Sequence, residues 1–490
     1  MIGRVERSPE TRAWLGLAGI VALGAALRFS TLDLQSYWAD EAATVRLLRG
    51  GVGQAVREVS NTEATPPLYD IVAWLWVKVF GTGEVGLRSL SALLGTATIV
   101  VVYVTGRRLA SARVGLGAAA FVAVSPMFVW FSQESRAYAL LGLLIALSFL
   151  FFAEGLRSSS GRPLAWWVVT SLLAVLTHWF AVFVVAAEAL WLLMKAFDRR
   201  AVRLAVAVVG AGLVALAPLA LYQLERTDRE AAGLPVSHFP RVPGQLIVGY
   251  GVSTLQIVLG VLATGLLITT LWLVLRRANA AEQNLAAMAG AVAAVAVAAA
   301  FVLALAGGNF IGAGHLHLIL VPLALVVGAG VGASGAPRAG PLVGLALCAV
   351  FVGLVIGVFL NPQLQRLDNR GAAKALGPPA STRLILFSDD ERGLYPYLGD
   401  TPPLPVSGRR VSEIDLVRLS SPLGSGRSLP DVQRPIRPPV AGFVLTQVRE
   451  TPTFSLVRFR SSTPRLVTPG QIRDAGPTAS SVALIQAREP

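Results

Sequence analysis

Long apolar runs alternate with short clusters of arginine and lysine over the first 360 residues. The hydrocarbon core of a bilayer needs about 20 helical residues at about 1.5 Å each. Runs near that length lie at 13–29, 87–106, 114–131, 137–153, 204–222, 250–275, 285–307, 316–337 and 341–360. Basic clusters flank them: Arg4, Arg7 and Arg12 before the first run, Arg107, Arg108 and Arg113 after the second, and Arg157 and Arg162 after the fourth. Lys195, Arg199, Arg200 and Arg203 follow, then Arg276 and Arg277, then Arg338. If such clusters face the cytoplasm, an even number of crossings separates each neighbouring pair. The apolar stretch 164–194 has basic residues at both ends, so it reads as two short helices turning at Thr177-His178-Trp179. The pattern therefore predicts a mainly α, multi-pass cell-membrane protein of about eleven spans. Its N-terminus is cytoplasmic and its first run is a retained anchor without a small-residue cleavage site.

An odd number of spans puts the tail outside. Residues 361–490 hold 17 of the 29 prolines and no run long enough to cross. A helix is expected over 363–376, followed by strands over 383–387, 442–448 and 454–459 and an ill-ordered final stretch. The expected division is a transmembrane domain over 1–360, with a first outer loop over 30–86, and a small extracytoplasmic α/β or α+β domain over 361–490. No period of 20 to 50 residues repeats.

Composition supports this class. Hydrophobic residues make up 54% and charged residues 14%, against about a quarter charged in soluble chains. The net charge of +14 follows from basic residues at span ends, and so reads as a topology signal with no call for a nucleic-acid partner. Cys348 is the single cysteine, which excludes a disulfide framework and a cysteine zinc site.

Polar chemistry concentrates in the outer loops. Asp40 and Glu41 follow the aromatic pair Tyr37-Trp38 and open a helix-like segment up to Arg49. On spacing alone, a helix N-cap at Asp40 with Glu41 as a first-turn carboxylate is the favoured account of them. After Pro66-Pro67, the positions Leu68, Ile71, Val72, Leu75 and Val79 form one apolar helical face, interrupted by Asp70 and Lys78; this helix is too short and polar to span and is expected to lie flat in the outer interface. Arg28, Arg88 and Arg136 stand at outer span ends, where basic residues are expected to be few. Each alone reads as snorkelling to headgroups. Together, beside an acidic loop, they suggest a phosphate site, because guanidinium forms bidentate, charge-assisted bonds to phosphate oxygens. In the loop 132–138, Glu134 and Tyr138 share a helix face, while a surface pairing of Glu134 with an arginine is the alternative.

Arg28, Trp38-Ala39-Asp40-Glu41-Ala42, Pro66-Pro67-Leu68-Tyr69, Phe80-Gly81, Arg88 and Ser132-Gln133-Glu134-Ser135-Arg136-Ala137-Tyr138, in this order, resemble the dolichyl-phosphate-mannose:protein mannosyltransferase superfamily. The closer resemblance is to bacterial polyprenyl-phosphate-sugar glycosyltransferases of the GT-C fold, which include the aminoarabinose transferase of lipid A. The resemblance covers residues 13–200 well and the later helices by topology.

The resemblance implies a sugar donor linked through one phosphate to a polyprenol, and an acceptor hydroxyl on a glycan, lipid or protein. Asp40 is the implied general base, with Glu41 orienting it or the acceptor. Arg136, then Arg88 and Arg28, and last Lys78 are the candidate phosphate ligands. Tyr69, Glu134, Tyr138 and His178 are the candidate lining of a substrate cavity. No cofactor and no metal are expected: the Asp-x-Asp of nucleotide-sugar enzymes is absent, and His315 and His317 at i, i+2 point about 160° apart on a helix, which argues against a shared metal; they read as mouth-lining or interfacial residues. The chain departs from some members in carrying Pro66 where they have Lys or His. His238 lies in an outer loop, 223–249, expected to cover the lipid or acceptor site. Two other readings remain open, a carrier or flippase for a polyprenyl-linked substrate, marked by charges at mid-membrane depth such as Glu188, and a non-catalytic relative that binds polyprenyl phosphate.

Overall fold

The computed structural model describes residues 8–62, 65–226, 240–251, 253–305, 313–378, 380, 382–387, 391–399, 401–419, 437–474 and 482–485. Two units separate, Met1–Leu32 with Gly50–Gly357, and Asp33–Arg49 with Val358–Pro490.

In chain order the helices begin with α1 (Pro9–Phe29) and α2 (Ala39–Arg49), the latter within the second unit. The first unit continues with α3 (Val52–Thr62), α4 (Leu68–Phe80), α5 (Glu84–Leu109), α6 (Ala112–Val124), α7 (Pro126–Ser132), α8 (Tyr138–Arg157), α9 (Arg162–Thr177) and α10 (Ala181–Ala196). It then runs through α11 (Arg200–Arg226), α12 (Val242–Val248), α13 (Thr254–Arg277), α14 (Ala280–Leu305), α15 (Ala313–Leu316), α16 (Leu320–Val331) and α17 (Ala339–Leu360). Each of the eleven expected segments is helical over most of its described residues. By length and apolarity, eight described helices suffice to cross a membrane, and a ninth if α6 and α7, bent by 59° at Ser125, count as one. The expected count of eleven is not reached by this measure, because α9 and α10 have 16 residues each, or about 24 Å of helix against a core of about 30 Å.

The first unit is a helix bundle in which small residues let backbones meet. A Cβ at Gly115 of α6 would lie 2.5 Å from the Tyr103 carbonyl oxygen of α5, and one at Gly328 of α16 would lie 2.6 Å from the Val114 carbonyl oxygen. Glu188 is fully buried, and its Oε2 accepts from Ser148 Oγ (2.5 Å) and Trp167 Nε1 (2.8 Å), so this mid-helix carboxylate ties α10 to α8 and α9.

The basic clusters meet at one end of the bundle. Arg107 pairs with Glu10 at 2.7 Å, Arg108 pairs with Glu154, and Arg199 donates to the Gly155 carbonyl at 2.7 Å and the Ser158 carbonyl at 2.5 Å. The carbonyls at the end of α8 thus take cationic donors, as the helix dipole favours.

The second unit is built on a five-stranded mixed sheet of order β3-β4-β2-β1-β5, with β1 (Arg383–Phe387), β2 (Arg409–Leu419), β3 (Val444–Glu450), β4 (Phe454–Val467) and β5 (Val482–Ile485). Only β1 and β2 are parallel. One face carries Ile385, Phe387, Val417, Leu419 and Leu456 against α18 (Asn369–Leu376) and α19 (Tyr395–Leu398). The other carries Leu384, Leu386, Ile414 and Phe459 together with Ile472 of α20 (Pro469–Asp474). Alternation of side chains across the pleat gives both faces a core.

The α+β reading of this unit holds, with two differences. The helix expected over 363–376 is a short 3₁₀ turn followed by α18, because Asp368 caps a new start by accepting from the Gly371 N–H at 2.8 Å. Strands β2 and β5 join the three that were expected. Of the final stretch, 475–481 and 486–490 lie outside the described residues.

The division of the chain also differs from a cut at 360. Segment 33–49 belongs to the second unit, because its backbone and the Gln35 side chain find partners there. Tyr397 Oη accepts from the Tyr37 N–H at 2.7 Å, Asn369 Nδ2 donates to the Tyr37 carbonyl at 2.9 Å, and Gln35 Oε1 accepts from the Arg366 N–H at 2.8 Å.

Candidate functional site

The run 121–140, comprising the end of α6, all of α7, the loop 133–137 and the start of α8, is buried throughout except at Arg136 and Tyr138. Its path is set by Pro126. A proline has no N–H, so the carbonyl four residues earlier loses its helical donor. That carbonyl belongs to Val122, and the helix bends there. After α7 ends at Ser132, residues 133–137 leave the helix. Gln133 fixes their course by donating through Nε2 to the Leu27 and Arg28 carbonyls at 3.0 and 3.1 Å and to Thr31 Oγ1 at 2.6 Å, which also caps the end of α1.

Around Tyr138 stands a group of rings from distant parts of the chain. Phe131 lies 4.5 Å and His317 5.2 Å from it, centroid to centroid, and His178 lies 6.0 Å away. His315 is 6.0 Å from His178 and stacks on Phe180 at 4.5 Å. A Cβ at Gly314 would sit 3.3 Å from Tyr138 Oη and 3.6 Å from Tyr250 Oη, so two hydroxyls converge on this glycine. His317 bridges α15 to the start of α8, with Nδ1 2.6 Å from the Gly314 carbonyl oxygen and Nε2 3.1 Å from that of Tyr138.

His178 occupies the turn between α9 and α10, outside both helices. Burial first, then the neighbouring His315, His317 and Arg136, push its imidazole well below the ordinary value. Its Nδ1 accepts from the Phe180 N–H at 3.2 Å, so the neutral ring carries its proton on Nε2. Arg136 thus lies close enough to act on the charge of His178. The result is a partly exposed guanidinium and phenol beside neutral imidazole and aromatic faces, suited to an anionic group joined to a ring with apolar C–H faces.

The other expected residues are placed as follows. Glu134 is 2% exposed and sits inside the loop. Tyr69 is buried between α4 and α5, its hydroxyl 3.5 Å from Ser91 Oγ. Lys78 is exposed on α4 with its ammonium 4.4 Å over the Trp74 ring. α4 buries Tyr69, Asp70, Ala73 and Val77 and leaves Leu75 and Val79 outward, so the apolar face read from the sequence is the one turned away from the protein.

Arg88 and Arg28 do not stand at an open mouth. Arg88 is 1% exposed and donates from Nη1 to the Leu32 carbonyl at 2.8 Å. Arg28 is fully buried, and four of its donor contacts go to Ser132 Oγ and to the Gly24, Ala123 and Val122 carbonyls. Of the three arginines expected at an open outer mouth only Arg136 is partly exposed; Arg28 is interior because bent α6/α7 offers carbonyl acceptors that a snorkelling geometry does not. In the second unit, Asp40 is partly exposed in the first turn of α2, whereas Glu41 is fully buried. His238 lies outside the described residues. Tyr250, between α12 and α13, and Phe131, within α7, are not singled out by the sequence, since nothing in a lone aromatic signals a partner so far away in the chain. Among the described residues no group of three or more His, Cys, Asp or Glu is arranged to hold a metal ion.

A family model described as dolichyl-phosphate-mannose-protein mannosyltransferase matches residues 64–222. Among curated protein sequences nothing matches. Among solved structures, the chain is similar to ArnT from Cupriavidus metallidurans bound to undecaprenyl phosphate, with 13% identity and a TM-score of 0.55 over 92% of this chain and 98% of that one. The apo state of the same protein gives 14% identity and a TM-score of 0.56 with the same coverage. The chain therefore has the GT-C fold of membrane glycosyltransferases, and its residues 64–222 match the dolichyl-phosphate-mannose-protein mannosyltransferase family.

Proposed function

We propose that the chain is an integral-membrane glycosyltransferase that moves a sugar from a polyprenyl-phosphate donor to an acceptor hydroxyl on a glycan, lipid or protein, with inversion at the anomeric carbon. The observation that carries this reading is the selective opening of Arg136 and Tyr138 in an otherwise buried run, beside His178. The fold is shared with a protein whose structure holds undecaprenyl phosphate, which agrees with a donor of that class.

In this reading the acceptor oxygen bonds to the anomeric carbon as the bond from that carbon to the phosphate oxygen breaks. The electron pair leaves with the polyprenyl phosphate, and Asp40 takes the acceptor proton. The leaving phosphate gains negative charge, which the guanidinium of Arg136 offsets, its planar fork being suited to two phosphate oxygens. Asp40 is preferred over Glu41 as the base because only Asp40 is partly exposed; Glu41 supports it from within. Lys78 is the lesser cation, while Arg28 and Arg88 serve the scaffold. The sidedness follows the positive-inside argument, with the bundle end of Arg107, Arg108, Arg157 and Arg199 cytoplasmic and the C-terminal unit extracytoplasmic.

Asp40 lies in the first turn of α2 and is not its N-cap, so Asn, of the same size, gives up only a helix-dipole term of about 0.3–1 kcal/mol there, yet it does not act as a base. Asp40→Asn is expected to express and unfold thermally like the wild type while losing transfer from a panel of radiolabelled polyprenyl-phosphate sugars. Full transfer by that variant removes Asp40 from the mechanism.

A further inference from the structure

The interior arginine of α1 is costly to bury and is far too well satisfied to be adventitious. Pro126 withdraws the donor owed to the Val122 carbonyl, and the bend frees the Ala123 carbonyl as well. Arg28 donates to both, from Nη2 to Val122 O and from Nη1 to Ala123 O, each at 2.8 Å. Its Nε donates to Ser132 Oγ at 3.1 Å, the last residue of α7, and Ser132 in turn donates to the Phe128 carbonyl at 2.5 Å. One guanidinium therefore holds both arms of the bend.

The neighbouring helices are cut to admit it. A Cβ at Gly95 of α5 would fall 2.0 Å from Ser132 Oγ and 3.2 Å from Arg28 Nε, and one at Gly24 of α1 would fall 3.1 Å from the Ala123 Cβ. Immediately after Ser132, Gln133 fastens to the end of α1. The loop that presents Arg136 begins there.

We propose that Arg28, with Ser132 and Gly95, is a splint across the Pro126 break, and that it is a positioning residue setting where Arg136 is presented to the donor phosphate. The splint stands on the hydrogen bonds alone; its link to the phosphate rests on the function proposed above. A straight helix through position 126 satisfies the Val122 carbonyl without an arginine but sends the 133–137 loop elsewhere, so stability and ligand binding respond differently to the same substitution.

The test uses the purified full chain with undecaprenyl phosphate as the probe. Arg28→Met is expected to lower the thermal unfolding midpoint strongly in the wild-type background and much less in Pro126→Ala, where the alanine N–H returns to the Val122 carbonyl. Pro126→Ala itself is expected to fold well and yet bind undecaprenyl phosphate about tenfold more weakly, about 1.4 kcal/mol. Ser132→Ala, which keeps the bend and folds if Arg28→Met does not, is expected to speed amide hydrogen exchange over 133–137 without any ligand present. Gly95→Ala is expected to do the same. An equal drop for Arg28→Met in both backgrounds, or unchanged exchange in Ser132→Ala and Gly95→Ala, overturns the splint. Wild-type affinity in Pro126→Ala overturns its positioning role. A wild-type chain that does not bind the probe, while coupling and exchange behave as stated, overturns the donor assignment and with it the positioning role, leaving the splint itself intact.

Discussion

Arg458 grips Asp415 with two parallel hydrogen bonds, Nε to Oδ1 at 2.8 Å and Nη2 to Oδ2 at 2.9 Å, directly across the β2–β4 ladder. Asp415 is fully buried, and Arg458 Nη2 also reaches the Leu376 carbonyl at the end of α18. Removing Arg458 takes both of these bonds from the buried carboxylate and leaves it the Arg383 Nε at 3.2 Å, and a buried charge that has lost its main partner is costly. Arg458→Ala is expected to destabilise the C-terminal unit by about 3–5 kcal/mol, whereas Arg460→Ala, whose side chain is 57% exposed, is expected to cost about 1 kcal/mol or less. Thermal unfolding of the two variants in detergent compares them directly, and equal losses would refute the assignment.

Glu413 links Arg383 and Arg460, accepting at 2.6 and 2.8 Å. Burial opposes its charge, but the hydrogen bonds and charges of the arginines outweigh burial and hold its pKa below the ordinary 4.5. A carboxylate with a depressed folded pKa contributes stability above its unfolded value and loses it as pH falls through the folded one. Asp415 has the opposite sign, since burial outweighs Arg458 and raises it above 3.8. The stability gap between wild type and Glu413→Gln is therefore expected to be constant above a pH of about 5 and to close below about 4.5. Unfolding curves across that range measure it; a gap that widens in acid contradicts the expectation.

Helix contact in the bundle depends on missing side chains. Gly115→Val places carbon where the Tyr103 carbonyl oxygen already lies 2.5 Å from an added Cβ, so a loss of about 3 kcal/mol or more is expected from overpacking. Gly142 of α8 has nothing within 4 Å of an added Cβ. There alanine is expected to gain up to about 1 kcal/mol through lower unfolded-chain entropy. Paired melts in one detergent test both, and a tolerated Gly115→Val would show that α5 and α6 can part.

For the phosphate ligand, geometry separates lysine from arginine. Arg136→Ala is expected to weaken undecaprenyl phosphate binding more than Arg136→Lys, which keeps the charge and loses the fork. A loss of about tenfold or more for alanine corresponds to one charge-assisted bond. Wild-type affinity in both variants would reject Arg136.

Much of this was legible in the sequence. The apolar runs, their basic flanks and the two short helices meeting at His178 follow from hydropathy and parity, because a bilayer constrains segment length and the sidedness of charge. The motif 132–138 falls in a buried run that opens at Arg136 and Tyr138, and Asp40-Glu41 falls in the first turn of α2. Strand β2 stayed hidden because Arg409, Arg410, Glu413, Asp415 and Arg418 make it look like a solvated loop. Its carboxylates Glu413 and Asp415 find their partners in Arg383 of β1 and in Arg458 and Arg460 of β4, residues far away in the chain.

By itself, then, the sequence determined the membrane class, the helical periodicity and the identity of the polar loops, all of which depend on residues within one or two turns of each other or on the bilayer as a solvent. The tertiary structure alone decided which arginine is open and which are interior, that Tyr138, His178, His315 and Tyr250 share one place, and that residues 33–49 pack with the C-terminal unit. The reason is physical: whether a guanidinium meets solvent or a bare carbonyl depends on a bend at Pro126 in another helix, and no local pattern around Arg28 encodes that partner.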